Sequence, residues 1–240
     1  MFGGRFRYKS LMTGLSDAEI EALLLSLRVS SVAVLAALPF ALAAALLLAR
    51  RNFPGKILVD AVLHMPLVLP PVAMGYLLLV VFGTRAGLGG WLYETFGIRF
   101  VFNWTGAVLA AAILTFPFQM RAIRLSLESV DAGLSDAARS LGARTFDRFR
   151  NVTLPLALPG VVAGAITAFA ASLGEFGAII TFVSNIPGQT RTLPLAIYTA
   201  LQTPGGEAAA ARLAALSILL ALIFMTLAEF AQRRARSFFA

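Results

Sequence analysis

The feature that most constrains this chain is the recurrence of long apolar runs. A helix needs about 20 mostly apolar residues to cross the hydrocarbon core of a bilayer. Runs of this kind cover residues 29–49, 57–82, 105–121, 158–183 and 211–230. Only 13% of the 240 residues are charged, whereas soluble domains carry about 25%. The sequence therefore predicts an all-α integral membrane protein, with five transmembrane helices in a single domain over residues 1–240.

The positive charge of the chain is consistent with a membrane location. A net charge of +8 could indicate a nucleic-acid partner, but in so apolar a chain arginine is expected at the ends of membrane helices. The absence of cysteine excludes disulfides and thiolate metal sites. The single histidine, His64, lies one helical turn from Asp60. A metal site needs more ligands than this pair offers, so we expect a structural hydrogen bond, no metal and no nucleic acid.

Two apolar runs contain residues that a simple span does not need. The second run holds Pro66, Pro70 and Pro71, and prolines free backbone groups that neighbouring protein must satisfy, so this helix is expected inside the bundle. The fourth run holds Glu175 roughly 25 Å from its start if the run is helical. An ionisable group inside a membrane usually faces protein or water.

The stretch from Ser172 to Gly177 admits two interpretations. In one, Ser172, Gly174, Glu175 and Gly177 belong to a hinge or gate, because the two glycines allow backbones to approach closely. In the other, Glu175 is a structural carboxylate bonded to a neighbouring helix. The residues alone favour neither interpretation.

The distribution of Lys and Arg predicts the orientation of the chain. Five spans place the termini on opposite sides. The side that holds the loop 122–157 and the C-terminus carries twelve basic residues, against eight on the other side. Basic loops face the cytoplasm, so the N-terminus is predicted outside. The basic N-terminal tail argues against this orientation, and a sixth membrane segment near 11–27 would remove the conflict, although the acidic residues there disfavour it.

Residues 131–155 form a polar loop with unusual local order. Four small or apolar residues recur at helical spacing and predict a short helix: Leu134, Ala137, Ala138 and Leu141. Ser135 or Asp131 is expected at its start, and Gly142 at its end in left-handed geometry. Such a piece would project a knob that a partner's groove could enclose. The alternative is an amphipathic segment on the membrane surface, with its arginines among anionic headgroups.

A second short helix is expected after Gly142. Thr145 is expected to cap it, and Phe146, Phe149 and Val152 would share one side. The pair Leu154-Pro155 is expected to stop it, because the residue before a proline disfavours the α region.

The spacing of these residues resembles a motif of bacterial ABC-importer permeases, Glu-Ala-Ala-x3-Gly-x9-Ile-x-Leu-Pro. Here Asp136 and Val152 stand where that motif has Glu and Ile. The resemblance implies that the loop 122–157 forms a coupling helix that docks in a cytoplasmic ATPase subunit. The residues implied in this coupling are Asp136, Ala137, Ala138, Arg139, Leu141, Gly142, Ala143, Arg144, Val152, Leu154 and Pro155.

Other stretches are similar to the molybdate permeases among the type I importers. They are residues 64–72, 75–80, 172–177, 181–188 and 202–207. Sulfate and thiosulfate permeases share the Leu-Gly-Glu-aromatic-Gly motif of residues 173–177. Molybdate is therefore the expected substrate, and tungstate and sulfate remain open.

The resemblance also implies partners and a location. The chain has no Gly-x4-Gly-Lys-Ser/Thr loop, so it is not expected to be an enzyme or to bind a cofactor, and ATP and Mg²⁺ are expected on a partner ATPase dimer. The other implied partners are a molybdate-binding protein outside a bacterial inner membrane, a second copy of the chain and membrane lipid. The Gly160–Gly164 pattern fits contact between copies or packing within one.

Two further classes of function fit the sequence less well than an importer subunit. An ATP-independent transporter or channel is disfavoured because the chain shows no clear internal repeat. A membrane enzyme is disfavoured because there is one histidine, no cysteine and no pair of carboxylates within a span.

Overall fold

The computed structural model describes residues 15–85, 87–130 and 132–237, and every regular element within these ranges is helical. The helices are α1 (Asp17–Arg50), α2 (Lys56–Val68), α3 (Pro71–Phe82), α4 (Gly87–Phe96), α5 (Trp104–Glu128), α6 (Ala132–Ser140), α7 (Thr145–Arg148), α8 (Leu154–Leu173), α9 (Gly177–Val183), α10 (Leu193–Leu201) and α11 (Glu207–Ser237). A π-helical turn, Phe149–Thr153, joins α7 to α8. The predicted all-α membrane fold is confirmed.

Helix α1 begins earlier than the first apolar run. Ser16 caps it: the Ser16 hydroxyl oxygen accepts a hydrogen bond from the Glu19 amide at 3.3 Å, and the Glu19 carboxylate accepts one from the Ser16 amide at 2.6 Å. This reciprocal pair is a capping box. Residues 17–27 are thus the first turns of α1, so a separate sixth segment near 11–27 is wrong; residues 11–14 lie outside the described ranges.

Four of the described helical stretches are long and apolar enough to cross a membrane: Asp17–Arg50, Trp104–Glu128, Thr145–Leu173 and Glu207–Leu227. The predicted span 57–82 is not one straight helix. It is divided into α2 and α3, which are bent by 113° at Leu69–Pro70, and counts as a fifth crossing only as a broken span. The bend has a covalent cause, since consecutive prolines remove two backbone donors and fix the local φ.

The predicted span 158–183 is also broken. Helix α8 ends at Leu173, and α9 begins at Gly177 after three non-helical residues. The apolar residues continue across the break, so in the sequence α8 and α9 appear as a single apolar run. The start of the helix also moves, because α8 is continuous with α7 through the π turn and the helix begins at Thr145 rather than at residue 158.

The molecule has two ends with separate apolar cores. At the end that carries α6 and α7, here the loop end, buried residues from the last turns of α1 and α5 pack with Ala157 of α8, and α2 packs against them. At the opposite end, the far end, the first turns of α1 and α5 pack with α3, α9 and α10. The broken pair α2–α3 therefore runs from the loop end to the far end.

Helix α5 lies at the centre and is in close contact with α1 and α8. The Gly160–Gly164 pattern makes the α8 contact possible: a Cβ added to Gly164 would lie 3.0 Å from the Gln119 Cα, and Gly160 faces Ala122 and Ser126. Small residues at such a crossing let helix backbones approach. Of the two roles left open for this pattern, the structure shows packing within one copy.

Candidate functional site

The loop end carries a projecting unit of residues 132–148, here the knob. Helix α6 ends in two backbone hydrogen bonds, from the Gly142 amide to the Arg139 carbonyl and from the Ala143 amide to the Ala138 carbonyl, both 3.0 Å. These bonds and the Gly142 φ of +85° define a Schellman ending. The glycine stop predicted from the sequence is confirmed, and it reverses the chain into α7.

The other expected helix ends at the knob need correction. Arg144 is the N-cap of α7 and Thr145 its first residue, because the Asp147 carboxylate accepts a hydrogen bond from the Arg144 amide at 3.3 Å. Ser135 lies inside α6 rather than at its start. Asp131, the other proposed cap, lies outside the described residues.

Pro155 does not stop the second helix. Leu154 adopts helical angles, φ −67° and ψ −45°, and its amide donates to the Phe149 carbonyl across the π turn. Pro155 then follows the π turn directly as the second residue of α8. The helical path Thr145–Leu173 is therefore unbroken over 29 residues, about 43 Å at 1.5 Å per residue.

The knob presents an apolar surface away from the helix bundle. Leu141 is 88% exposed and Phe146 68% exposed. The smaller residues between them leave this surface open, and Arg139 and Arg144 border it with exposed side chains. Asp136 lies in α6, but its side chain is outside the described part of the chain. Val152, Leu154 and Pro155 are partly buried at the base of the knob.

A charged network joins α2 to α5 at the loop end. The Arg124 guanidinium lies 2.9 Å from the Asp60 carboxylate of α2 and 2.8 Å from Glu128 one turn along α5. His64 Nδ1 lies 2.8 Å from the Asp60 carbonyl oxygen, so the structural hydrogen bond expected for this histidine is confirmed. Among the described residues, no group of three or more metal-binding side chains is found.

The breaks of the two interrupted spans lie side by side. We call residues 69–71 and 174–177 together the junction. A Cβ added to Gly177 would lie 2.9 Å from the Pro71 Cβ and 3.2 Å from the Val72 amide nitrogen. One turn further, a Cβ on Gly75 would lie 2.7 Å from the Ala178 carbonyl oxygen. Only glycine permits α3 and α9 to pack this closely, so the junction is a close backbone contact between two half-helices.

Glu175 forms the polar centre of the junction. Its Oε1 accepts a hydrogen bond from the Ala178 amide at 2.9 Å and so satisfies a donor at the start of α9. The neighbouring Phe176 ring contacts Tyr198 of α10, with ring centroids 5.2 Å apart. The carboxylate thus has a local structural partner, although not one on a neighbouring helix as the structural interpretation expected.

The remaining candidates of this stretch divide between two locations. Gly174 ends α8 and lies in open surroundings, since a Cβ there would approach only the Ala171 carbonyl, at 3.7 Å. Ser172 is 4% exposed and lies on the face of α8 that carries Gly164 and Ala168. Gly174, Glu175 and Gly177 therefore meet at the junction, whereas Ser172 belongs to the packed face of α8.

The sequence indicated the two unusual segments that form the junction, but not that they lie in contact. Pro70 and Pro71 mark one break, and the glycines around Glu175 mark the other. The packing partners Gly75 and Val72 were not singled out as candidates. A proline pair in one apolar run and an isolated carboxylate between glycines in another were the available signals.

The structured knob is thus joined through one unbroken helix to a break inside the bundle. The sequence matches the family described as binding-protein-dependent transport system inner membrane component over residues 37–237. The chain belongs to this family of importer permeases.

Curated relatives and solved structures agree with the family. The chain is 60% identical over 222 residues to the molybdenum transport system permease protein ModB of Escherichia coli K12, covering 92% of this chain and 97% of that protein. It is 54% identical to ModB of Haemophilus influenzae, covering 90% and 94%. The sulfate transport system permease protein CysT of E. coli K12 is 36% identical, covering 78% and 69%.

Among solved structures, the MetNI methionine ABC transporter in inward-facing conformations matches with a TM-score of 0.70 at 16% identity, covering 92% of this chain and 99% of that one. A bacterial alginate ABC transporter in complex with a periplasmic protein bound to an alginate pentasaccharide matches with a TM-score of 0.73 at 17% identity, covering 91% and 80%. At these identities the likeness establishes the fold, which is that of ABC-importer permeases.

Proposed function

We propose that this chain is the permease subunit of an ABC importer that moves molybdate into the cytoplasm by alternating access. The similarity to ModB proteins supports molybdate, and tungstate is a second candidate as a related tetrahedral oxyanion. The observation that carries the mechanism is the unbroken helical path from the knob to the junction. The chain itself does no ATP chemistry, and ATP and Mg²⁺ act on a partner ATPase dimer.

The knob is the docking element for that ATPase. Its exposed Leu141 and Phe146 offer an apolar surface. The small alanines beside them leave room for the wall of a cleft in the ATPase to approach closely. A movement of the docked ATPase then shifts α7 and α8 as one body, because no break interrupts the helix before Leu173. The same surface could rest on lipid, and association with the ATPase separates the two possibilities.

The proposed orientation places the loop end and the C-terminus in the cytoplasm and the N-terminus outside. The count of basic residues supports it. A binding protein that carries molybdate then meets the far end, and a second copy of the chain completes the translocation path. Selectivity for the oxyanion resides mainly in the binding protein. Sulfate is the alternative substrate, since CysT shares 36% identity.

The first experiment tests docking at the knob. Leu141→Asp places a charge at the most exposed apolar position of the knob, so we expect at least a 10-fold loss of ATPase co-purification. Asn52→Asp is the matched control: it adds the same charge at the loop end, and its side-chain oxygen still accepts the hydrogen bond from Lys56. Equal co-purification by both variants would refute the docking role.

The second experiment tests the substrate. ATPase activity of the reconstituted complex is measured with the binding protein loaded with molybdate, tungstate or sulfate. Stimulation by molybdate, with none by sulfate, is the expected result. Stimulation by sulfate alone would establish the alternative, and uptake by the purified chain without ATP would contradict the importer role itself.

A further inference from the structure

A cavity of about 630 Å³ opens at the far end, outside the junction and the knob. We call it the far-end pocket. Its lining comes from two segments, residues 99–104 before and at the start of α5 and residues 186–189 after α9. Pockets that accept a ligand group commonly measure about 300–1,000 Å³, so this one has room for the tip of a projecting loop.

Both walls of the far-end pocket are held in fixed conformations. In the first wall, the Asn103 side-chain amide and the Thr105 hydroxyl each donate to the Arg99 carbonyl at 3.4 Å, and Phe102 has a φ of +62°. A bulky residue held in the left-handed region is uncommon and persists only where the surroundings impose it. The second wall turns around buried Thr190, whose hydroxyl donates to the Ser184 carbonyl at 2.9 Å and accepts from the Ile186 amide at 2.8 Å.

The charge of the far-end pocket is unbalanced in favour of arginine. The Arg99 guanidinium donates through Nε to the Val101 carbonyl at 3.2 Å, and no described carboxylate lies within ion-pair distance of it. Arg28 lies over the Trp104 ring of the same wall, 3.8 Å from its centroid. Glu21 is the acidic residue beside the pocket, next to Gly188. The remaining N–H groups of the Arg99 guanidinium can donate to a carboxylate.

We propose that the far-end pocket receives an acidic loop of the molybdate-binding protein, with Arg99 paired to a carboxylate of that loop. We propose a folded protein rather than a lipid as the occupant of the far-end pocket because the two walls are held in fixed conformations and because of where the second wall lies in the chain. The wall at residues 186–189 follows α9 directly, and α9 begins at the junction. Docking at the far-end pocket therefore acts on the segment that leads to the break in the fourth span.

This inference rests on the proposed function, since it needs the far end to face the binding protein. The test uses the complete complex of permease and ATPase in nanodiscs of neutral phosphatidylcholine, titrated with molybdate-loaded binding protein. Arg99→Glu reverses the charge of the pocket. Arg85→Glu is the matched control, because Arg85 is exposed between α3 and α4 and does not line the pocket.

We expect Arg99→Glu to raise the half-maximal concentration of binding protein at least 10-fold, because a repelled carboxylate is costly at an interface. Basal ATPase activity should stay at the wild-type value, and Arg99→Lys should restore part of the response. Gln189→Trp fills the pocket from the opposite wall without changing charge, and it should weaken stimulation in the same way.

Three outcomes would overturn the proposal. If Arg99→Glu and Arg85→Glu respond like the wild type while the wild type is stimulated, the far-end pocket is not the docking site and the importer role stands. If Arg99→Glu alters activity only in nanodiscs with anionic phosphatidylglycerol and without binding protein, the occupant is a lipid headgroup. If the binding protein stimulates none of the complexes, the proposed function itself fails.

Discussion

At the scale of single residues, Glu175 has the clearest structural assignment. Sequence reasoning left it between a gate element and a structural carboxylate. In the structure its Oε1 accepts the Ala178 amide at 2.9 Å, so the carboxylate satisfies a donor that the helix start would leave without a partner. A lost helix cap typically costs about 1 kcal/mol, and a donor left unsatisfied in apolar surroundings costs about 1–3 kcal/mol.

Two substitutions separate the cap from the charge. Glu175→Gln keeps an acceptor oxygen, so we expect the melting temperature to stay close to that of the wild type. The rate of ATP-driven uptake should stay within about 2-fold of the wild type. Glu175→Leu removes the acceptor and should lower the free energy of unfolding by roughly 1–3 kcal/mol and uptake at least 10-fold. Thermal unfolding in detergent and uptake into vesicles measure both effects. Loss of uptake by Glu175→Gln with unchanged stability would instead show that the charge acts in the gate.

At the scale of helices, local signals predicted local features. Gly142 indicated the end of α6, because this helix ending depends on hydrogen bonds within a few residues. Pro155 was misread as a stop. Its effect depends on the neighbouring backbone, and here it directly follows a π turn within a helix that continues.

The helix breaks of the junction were harder to predict. An apolar window of about 20 residues averages over both halves of a broken span, so residues 57–82 and 158–183 each looked like one crossing. The close contact of Gly177 with Pro71 joins residues about one hundred positions apart. No pattern within either run contains that information, since the contact arises from the packing of α3 on α9.

The turn between α6 and α7 gives a prediction at this scale. Gly142 has a φ of +85° and open space around a Cβ, so Gly142→Val would strain the backbone, by about 1–2 kcal/mol, without a steric clash in the native geometry. We expect it to tilt the knob and reduce ATPase co-purification at least 5-fold. Gly97→Val is the control, because Gly97 has a φ of +66° and similarly open space at the far end. Comparable loss of co-purification in both variants would mean that backbone strain alone causes it.

At the scale of the whole molecule, the position of the breaks decides which face can meet lipid. A broken helix leaves backbone donors and acceptors that hydrocarbon cannot satisfy. The α2–α3 pair has such a break, yet Val68 is 82% exposed and Val72 56% exposed in one copy of the chain. Helix α11 is unbroken, so its exposed apolar face can contact lipid without this cost. The face of α3 therefore needs protein or water, and the proposed second copy supplies it.

The sequence has no cysteine, so single introduced thiols test this pairing directly. Val72→Cys and Tyr76→Cys lie on the exposed face of α3, with Tyr76 60% exposed, and Ile218→Cys on α11 is 63% exposed and serves as the control. Under mild oxidation in membranes, we expect at least one α3 thiol to give a species of about twice 25.5 kDa, and the α11 thiol to stay monomeric. Because two copies related by a twofold axis bring identical residues near that axis, a disulfide from α11 with none from α3 would place the pairing face on α11 and leave the break at Pro70 to be covered by water.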